Sequence, residues 1–166
     1  MNKTIYILEF IIDRAGRLIA PLTFIMMLLT CGVVIARYIF NVGAIPIQES
    51  IVYLHGTVFM LGIAYTLQHS GHVRVDILYQ RLSIRGKTTV DLLGTVFFLF
   101  PVAIFMLWSS LDFVSFSWSL KETSAEPGGL PFVYVLKTLI PVMAILLLIQ
   151  GKAELLKNIK KLQGSL

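Results

Sequence analysis

A polar stretch near the middle of the chain, Gly71–Leu82 with the sequence GHVRVDILYQRL, decides how the rest is arranged. It belongs to a charged interval, residues 68–89, that separates two long apolar runs. Within it, charged and aliphatic side chains alternate, a pattern typical of a segment with water on one side and an apolar phase on the other. The interval therefore predicts a membrane surface, with apolar spans before and after it.

The conformation of this interval follows from its apolar spacing. Alternation over Val73–Ile77 would by period alone indicate a β-strand, but a lone strand at a bilayer surface has no partner for its backbone groups. From Val75 onward, Leu78 and Leu82 continue the i, i+3, i+7 spacing of a helix. We predict a short amphipathic helix along the surface, within the segment 69–89. A linker that merely follows the membrane is the alternative.

The composition is that of a membrane protein. Hydrophobic residues make up 57% of the 166 and charged residues 14%, with a mean hydropathy of +0.83. Soluble proteins carry about 25% charged residues. The net charge of +5 follows the membrane topology described below, so it indicates no nucleic-acid partner.

Four apolar runs are long enough to cross a bilayer. The first, Leu18–Ala36, has 19 residues without a charge, which is about 28 Å of helix against a hydrocarbon core of about 30 Å. Each run is expected to be helical, because a segment in lipid has to satisfy its own backbone hydrogen bonds. We predict an all-α integral membrane protein, one domain over residues 1–166, with spans at about 18–38, 50–68, 90–111 and 131–150.

The distribution of basic residues predicts the direction of the spans. Of the 14 lysines and arginines, 11 lie in residues 1–17, 68–89 and 150–166, two lie in the other two loops, and Lys137 lies in the last span. Under the positive-inside rule, both termini and the segment 69–89 are expected in the cytoplasm.

The segments beyond the spans are expected at the surface. Ile5–Ile12 is apolar but too short to span, so we predict an amphipathic helix in the interface. Lys152–Lys161 is expected to be the solvated end of the last helix. Gly32 and Ala36 form a small-xxx-small pair, which permits a close helix contact.

Residues suited to catalysis or metal binding are scarce. The sequence contains no glycine-rich phosphate loop, no Cys/His cluster and no triad-like set, so we expect neither an enzyme nor a bound cofactor. Of the three histidines only His55 lies within a span, which leaves no pair of axial haem ligands on different helices. No span carries a carboxylate near its centre. A protein that moves ions by itself is expected to have ionisable groups within its spans, so this sequence argues against such a function.

Glu49 follows Pro46, Ile47 and Gln48 at the start of the second span. A carboxylate in the first helical turn is favoured by the unpaired amides and the helix dipole, so capping of the helix is one interpretation. Contact with a partner protein is the other.

Three stretches of the sequence are similar to the small membrane subunit, the four-helix Q-type permease component, of TRAP (tripartite ATP-independent periplasmic) transporters. They are ARYIFN at 36–41, IPIQE at 45–49 and GHVRVDIL at 71–78. Their order, spacing and four-span setting match over roughly residues 15–150, and the last stretch is the most specific. The chain departs from the family at Ile47, where a tryptophan is usual, whereas Glu49 matches the family's acidic position.

The resemblance implies a role without catalysis or a main substrate site. In this family the small subunit accompanies a large membrane subunit, which carries the substrate and sodium sites and moves as an elevator. The small subunit extends the static scaffold. A periplasmic binding protein delivers the substrate, an organic acid such as a C4-dicarboxylate, sialic acid or another sugar acid. The implied location is the bacterial inner membrane, in contact with phospholipid.

Polar and aromatic residues near the span ends are the candidates for intermolecular contacts. For the interface with the large subunit we predict Arg37, Glu49, His55, His72, Arg74 and Asp76. For anchoring at the membrane interface we predict Arg81, Trp108, Trp118 and Lys137. Two other functions stay open: a self-contained small transporter, and a membrane anchor of a redox complex with bound haem or quinone.

Overall fold

The computed structural model describes residues 3–72, 79 and 81–164, and the regular structure in these ranges is helical. The four long helices are Lys3–Ile39 (α1), Ile45–Gln68 (α2), Ile84–Leu120 (α3) and Val133–Leu162 (α4). Each overlaps one predicted span and is long and apolar enough to cross a membrane. The prediction of an all-α fold with four membrane-crossing helices is confirmed.

Helix α4 is the centre of the packing. It contacts α1, α2 and α3, whereas α1 packs mainly on α2, and α3 packs mainly on α4. In this pattern α1 and α2 form a pair, and α2 and α3 are joined mainly through α4. The buried residues of α4 include Ala144, Gly151 and Ala153, and such small side chains let neighbouring helices approach closely.

The contacts between helix ends define two ends of the molecule. At the terminal end, the Gln68 side-chain amide at the close of α2 donates to the backbone carbonyl of Glu9 on α1 (3.2 Å). Lys157, near the close of α4, pairs with the Glu9 carboxylate there. At the loop end, Glu49 of α2 contacts the loop 121–132 between α3 and α4. The start of α1 and the ends of α2 and α4 therefore lie together.

Helix α1 is continuous through the segment predicted as a separate interface helix. It has 37 residues, about 55 Å of helix, whereas the hydrocarbon core is about 30 Å thick. Ile5 and Ile12 are 4% and 1% exposed, packed inside the molecule. The segment Ile5–Ile12 is therefore helical, as predicted, but it continues α1 and packs partly within the molecule; its position in the membrane interface stays a prediction.

The segment Lys152–Lys161 is also part of a packed helix. It lies within α4, and Ala153 and Asn158 are 0% and 4% exposed. The segment is thus the end of the last helix, as predicted, with one face packed against the other helices. Hydropathy shows the segment as polar because it counts all faces of the helix together, including the exposed Lys152 and Lys161.

A glycine on α1 sets the contact between α1 and α2. A Cβ on Gly16 would lie 2.1 Å from Cδ2 and 2.3 Å from Cγ of Tyr65, so the ring occupies the space that a side chain would need. A Cβ on Gly32 would meet nothing within 4 Å. The close contact between helices is therefore made at Gly16. In the part of the chain that the structure describes, Gly32 of the predicted pair Gly32 and Ala36 makes no close helix contact.

Helix α3 contains a wide turn where it passes α4. Residues Thr95–Leu99 form a π-helical turn, closed by a hydrogen bond from the Phe100 N–H to the Thr95 carbonyl. The turn directly precedes Pro101, which has no N–H and whose ring crowds the carbonyl four residues earlier in a regular helix. A Cβ on Gly151 of α4 would lie 2.4 Å from Leu99 Cδ2, so glycine permits this close crossing.

Candidate functional site

Glu49 holds the loop at the loop end of the molecule. Its Oε2 accepts a hydrogen bond from the Leu130 N–H (2.6 Å), and its Oε1 accepts one from the Ser124 hydroxyl. The N-cap of α2 is Ala44, which makes no side-chain cap. The capping interpretation is therefore wrong, because the carboxylate is turned toward the loop 121–132.

Gly129 makes room for this arrangement. A Cβ there would lie 2.5 Å from Ser124 Oγ and 2.7 Å from Glu49 Oε1. We expect Gly129→Ala to push the loop off the carboxylate and to lower the free energy of unfolding by about 1–3 kcal/mol, as overpacking does. Chemical unfolding in mild detergent measures this. Gly43→Ala, at the same end but with nothing within 4 Å of its Cβ, is the control, and an equal effect of both substitutions would contradict the assignment.

Lys137 pairs with a carboxylate of the same loop. Its Nζ lies 2.5 Å from Glu122 Oε2 and 4.0 Å from the centre of the Phe113 ring. The Ser117 hydroxyl also donates to Glu122 (2.6 Å). The hydrogen bonds from Lys137 and Ser117 lower the pKa of Glu122 below its ordinary value. The ammonium of Lys137 is thus bound within the chain, and its predicted role as a membrane anchor stays a prediction.

The two tryptophans predicted as membrane anchors lie in different settings. The Trp118 indole N–H donates to the Thr138 hydroxyl (2.8 Å), and its ring meets that of Tyr134 edge-on with centroids 4.7 Å apart. Lys121 Nζ lies 4.7 Å above the Trp118 ring. Trp108 by contrast is 79% exposed. Trp118 therefore joins α3 to α4, whereas Trp108 presents an open aromatic face at the surface of α3.

A second charged cluster lies at the terminal end. Lys157 Nζ pairs with Glu9 of α1 and lies 3.4 Å from Glu154 Oε1. Gln150 donates its amide to Glu154 (2.9 Å), and Gln68 of α2 donates to the Glu9 carbonyl. This cluster therefore ties α1, α2 and α4 together at one level. Sequence reasoning missed it, although the spacing of Glu154 and Lys157 is that of an ion pair on one helix face.

The described residues among those predicted for the partner interface lie at different levels of the molecule. Arg37 is exposed and lines a pocket of about 500 Å³ at the loop end, together with Asn41 and Gln48. His55 is exposed and stacks on Phe59, with centroids 6.3 Å apart. His72 lies at the terminal end, with Nε2 3.3 Å from the Ile63 carbonyl.

Three further predicted residues lie in or near the segment between α2 and α3. Arg81 is exposed. Arg74 and Asp76 fall outside the described residues, as does most of the predicted surface helix, so these predictions stay open. Helix α3 begins at Ile84, where the Ser83 hydroxyl caps it by accepting from the Gly86 N–H (3.2 Å).

The chemistry of the described residues is that of structural pairing. Among them, no group of three His, Cys, Asp or Glu side chains is placed to hold a metal ion. The ion pair of Lys157 with Glu9 joins α4 to α1, and that of Lys137 with Glu122 joins α4 to the loop 121–132, whereas Arg17 and Asp13 pair within α1. This arrangement suits a rigid membrane unit with exposed apolar sides.

Comparison with known families gives a match over most of the chain. The family model described as tripartite ATP-independent periplasmic transporters, DctQ component, matches residues 26–161. No curated protein and no solved structure matches the chain. The matched range includes α2, α3, nearly all of α4 and residues 26–39 of α1.

Proposed function

Because the chain belongs to the family of DctQ components of tripartite ATP-independent periplasmic transporters, we propose that it is the static scaffold subunit of such a transporter. The family is one of transporter components rather than enzymes. Its members are small membrane subunits that function with a large DctM subunit and a periplasmic binding protein. The proposal concerns what this chain contributes to that assembly.

The main support for this proposal is that hydrogen bonds and ion pairs join the helices at both ends of the molecule. Glu49 joins α2 to the loop 121–132 at one end, and Lys157 joins α4 to α1 at the other. A transporter in which one part travels through the bilayer needs a second part that keeps its shape. Ion pairs and hydrogen bonds at both ends of the same helices resist relative sliding and tilt of those helices, which supports a stationary role.

The outward surface of the molecule suits contact with a larger membrane chain. Large apolar side chains are exposed along α3: Phe97, Phe98, Phe105, Trp108 and Phe116. On α1 the second half is exposed on nearly every face, and the 18-residue apolar window of this helix contains no buried residue. In a membrane these faces meet either lipid or protein. We propose that the second half of α1, together with the exposed side of α2, faces the large subunit.

The transport chemistry is assigned to the partner chains. We propose sodium-coupled uptake of an organic acid, a C4-dicarboxylate, sialic acid or another sugar acid, with the substrate site in the large subunit and no enzymatic reaction in this chain. The concentration of 11 of 14 basic residues in the two terminal segments and the segment 68–89 supports a cytoplasmic terminal end in the bacterial inner membrane. The loop end would then face the periplasm and the binding protein.

The scaffold proposal is tested with the assembled transporter. The affinity-tagged chain is co-expressed with the neighbouring large permease, and co-purification in mild detergent is measured. Sodium-driven uptake is then compared in proteoliposomes with and without this chain, with the binding protein supplied in both. We expect the two chains to co-purify and uptake to require both. Transport by this chain alone would instead favour the self-contained transporter.

A charge reversal tests the predicted interface at the loop end. Arg37 is exposed, and its guanidinium makes no ion pair or hydrogen bond within the described part of the chain. We therefore expect Arg37→Glu to leave folding intact and to reduce co-purification of the large subunit about tenfold or more, the effect of unpairing one interfacial charge. Glu126→Lys, an exposed reversal at the same end, is the matched control. Equal co-purification of both variants and the unchanged chain would remove Arg37 from the interface.

A further inference from the structure

A cleft of about 1010 Å³ lies between α2 and α3. Its walls come from both helices, and α4 contributes Leu147, Glu154 and Asn158. The cleft exists because α3 packs mainly on α4 and leaves its side toward α2 open. Its volume is at the upper end of the range for sites that bind small molecules, about 300–1,000 Å³.

The lining of the cleft changes from apolar to polar along its length. Toward the middle of the spans it is lined by aliphatic and aromatic side chains: Ile63, Phe98, Val102 and Leu147. At the terminal end, beside the apolar Leu67, Leu82 and Val90, it is lined by polar side chains: His72, Tyr79, Asp91, Glu154 and Asn158. From Val90 to Ala103 the cleft runs about 20 Å along α3 by the helical rise. One leaflet offers about 15 Å of hydrocarbon plus a headgroup layer.

The polar end of the cleft carries charges of both signs. Asp91 accepts a hydrogen bond from the Tyr79 hydroxyl (2.7 Å), and Glu154 of α4, which lines the same cleft, has Lys157 as its neighbour. Lys87 Nζ lies 5.6 Å above the centre of the Tyr79 ring, at the same mouth. Carboxylates attract an ammonium group, and a lysine ammonium attracts a phosphate.

We propose that this cleft binds one phospholipid with a primary-amine headgroup from the leaflet at the terminal end. The acyl chains lie along Ile63, Phe98 and Val102. The headgroup ammonium lies toward Asp91 and Glu154, with the phosphate toward Lys87. A lipid fits better than a protein side chain, because the cleft matches a leaflet in both length and order of polarity. The site depends only on this chain, so its test is independent of the proposed scaffold function.

Gly94 provides a variant that fills the cleft without a backbone clash. It lines the cleft, and a Cβ there would meet nothing within 4 Å. Gly94→Leu places a branched side chain in the cleft, whereas Gly94→Ala adds one methyl group. Gly32→Leu makes the leucine substitution on α1, where space is also open and the cleft is distant. These three variants separate occupation of the cleft from the general effect of replacing a helical glycine.

The experiment reconstitutes the full chain into vesicles of equal parts phosphatidylethanolamine and phosphatidylglycerol, re-extracts it, and counts retained lipids by native mass spectrometry. We expect the unchanged chain, Gly94→Ala and Gly32→Leu to retain one phosphatidylethanolamine. We expect Gly94→Leu to lower its occupancy about tenfold or more. Asp91→Asn is expected to reduce the preference for phosphatidylethanolamine several-fold. Photoreactive acyl chains of this lipid are expected to label Phe98 or Val102 in the unchanged chain, a readout independent of variant folding.

Three results would overturn the proposal. Full retention of lipid by Gly94→Leu, or photolabelling confined to α1, would place the lipid elsewhere. Equal retention of the two lipids by the unchanged chain would refute the amine headgroup. In the assembled transporter, a cross-link from Gly94→Cys to the large subunit would identify protein as the occupant of the cleft.

Discussion

Replacing Gly16 by alanine is expected to separate α1 from α2 and to lower the free energy of unfolding by about 2–3 kcal/mol, toward the upper part of the range for overpacking. The new Cβ would lie 2.1–2.8 Å from three ring carbons of Tyr65. Two of these contacts are close to the root of the ring, so the ring has to change rotamer or the helices have to move apart. Unfolding followed by helical circular dichroism in mild detergent measures the loss.

The matched control for this substitution is Gly32→Ala on the same helix. Space is open around Gly32, so alanine is expected to leave stability unchanged or to raise it by about 0.5–1 kcal/mol through helix propensity. A second substitution, Tyr65→Ala, is expected to recover part of the loss caused by Gly16→Ala, because it removes the ring that clashes. Equal effects at Gly16 and Gly32, or no recovery, would show that α1 and α2 do not meet at Gly16.

Replacing Lys157 by methionine is expected to weaken the terminal end of the molecule. It leaves the carboxylates of Glu9 and Glu154 facing each other without their cation. The Lys157 and Glu9 side chains are 27% and 21% exposed, so solvent reduces the cost below that of a fully buried pair. We expect a loss of about 1–3 kcal/mol in the free energy of unfolding. Limited proteolysis of the first turns of α1 is expected to accelerate along with it.

The controls for Lys157 separate its ion pair from the general charge of α4. Lys161→Met removes an exposed lysine from the same helix and is expected to change stability little. Combining Lys157→Met with Glu9→Gln is expected to cost less than Lys157→Met alone, because one unpaired carboxylate is removed. If the double variant were less stable than the single one, the pair would not be the source of the effect.

Local rules of sequence were enough to predict the four helices. The run Leu18–Ala36 has no charge over its 19 residues, and lipid leaves such a segment no alternative to a helix. The same rules did not show that Ile5–Ile12 and Lys152–Lys161 each pack one face against other helices. Each segment is stabilised by partners far away in the chain, and hydropathy in a sliding window does not contain that information.

The polar contacts that fix the helices were harder to predict. Glu49 is 75 residues from Ser124 and 81 from Leu130, and nothing in its local sequence shows that its carboxylate turns toward that loop. The two glycines of α1 are a second example of a contact that the local sequence does not reveal. Gly16 and Gly32 both lie on a long apolar helix, but only the arrangement of α2 determines that Gly16 is packed and Gly32 is open.

The central position of α4 has a consequence for the order in which the molecule is made. Chains are synthesised from the N-terminus, at about 5–20 residues per second, so α1, α2 and α3 enter the membrane before the helix that joins them exists. Until Val133–Leu162 arrives, α1 and α2 have each other, while α3 lacks its main partner. Assembly of the four helices thus waits for the last of them, and a chain stopped in the loop 121–132 is expected to be a target for membrane proteases.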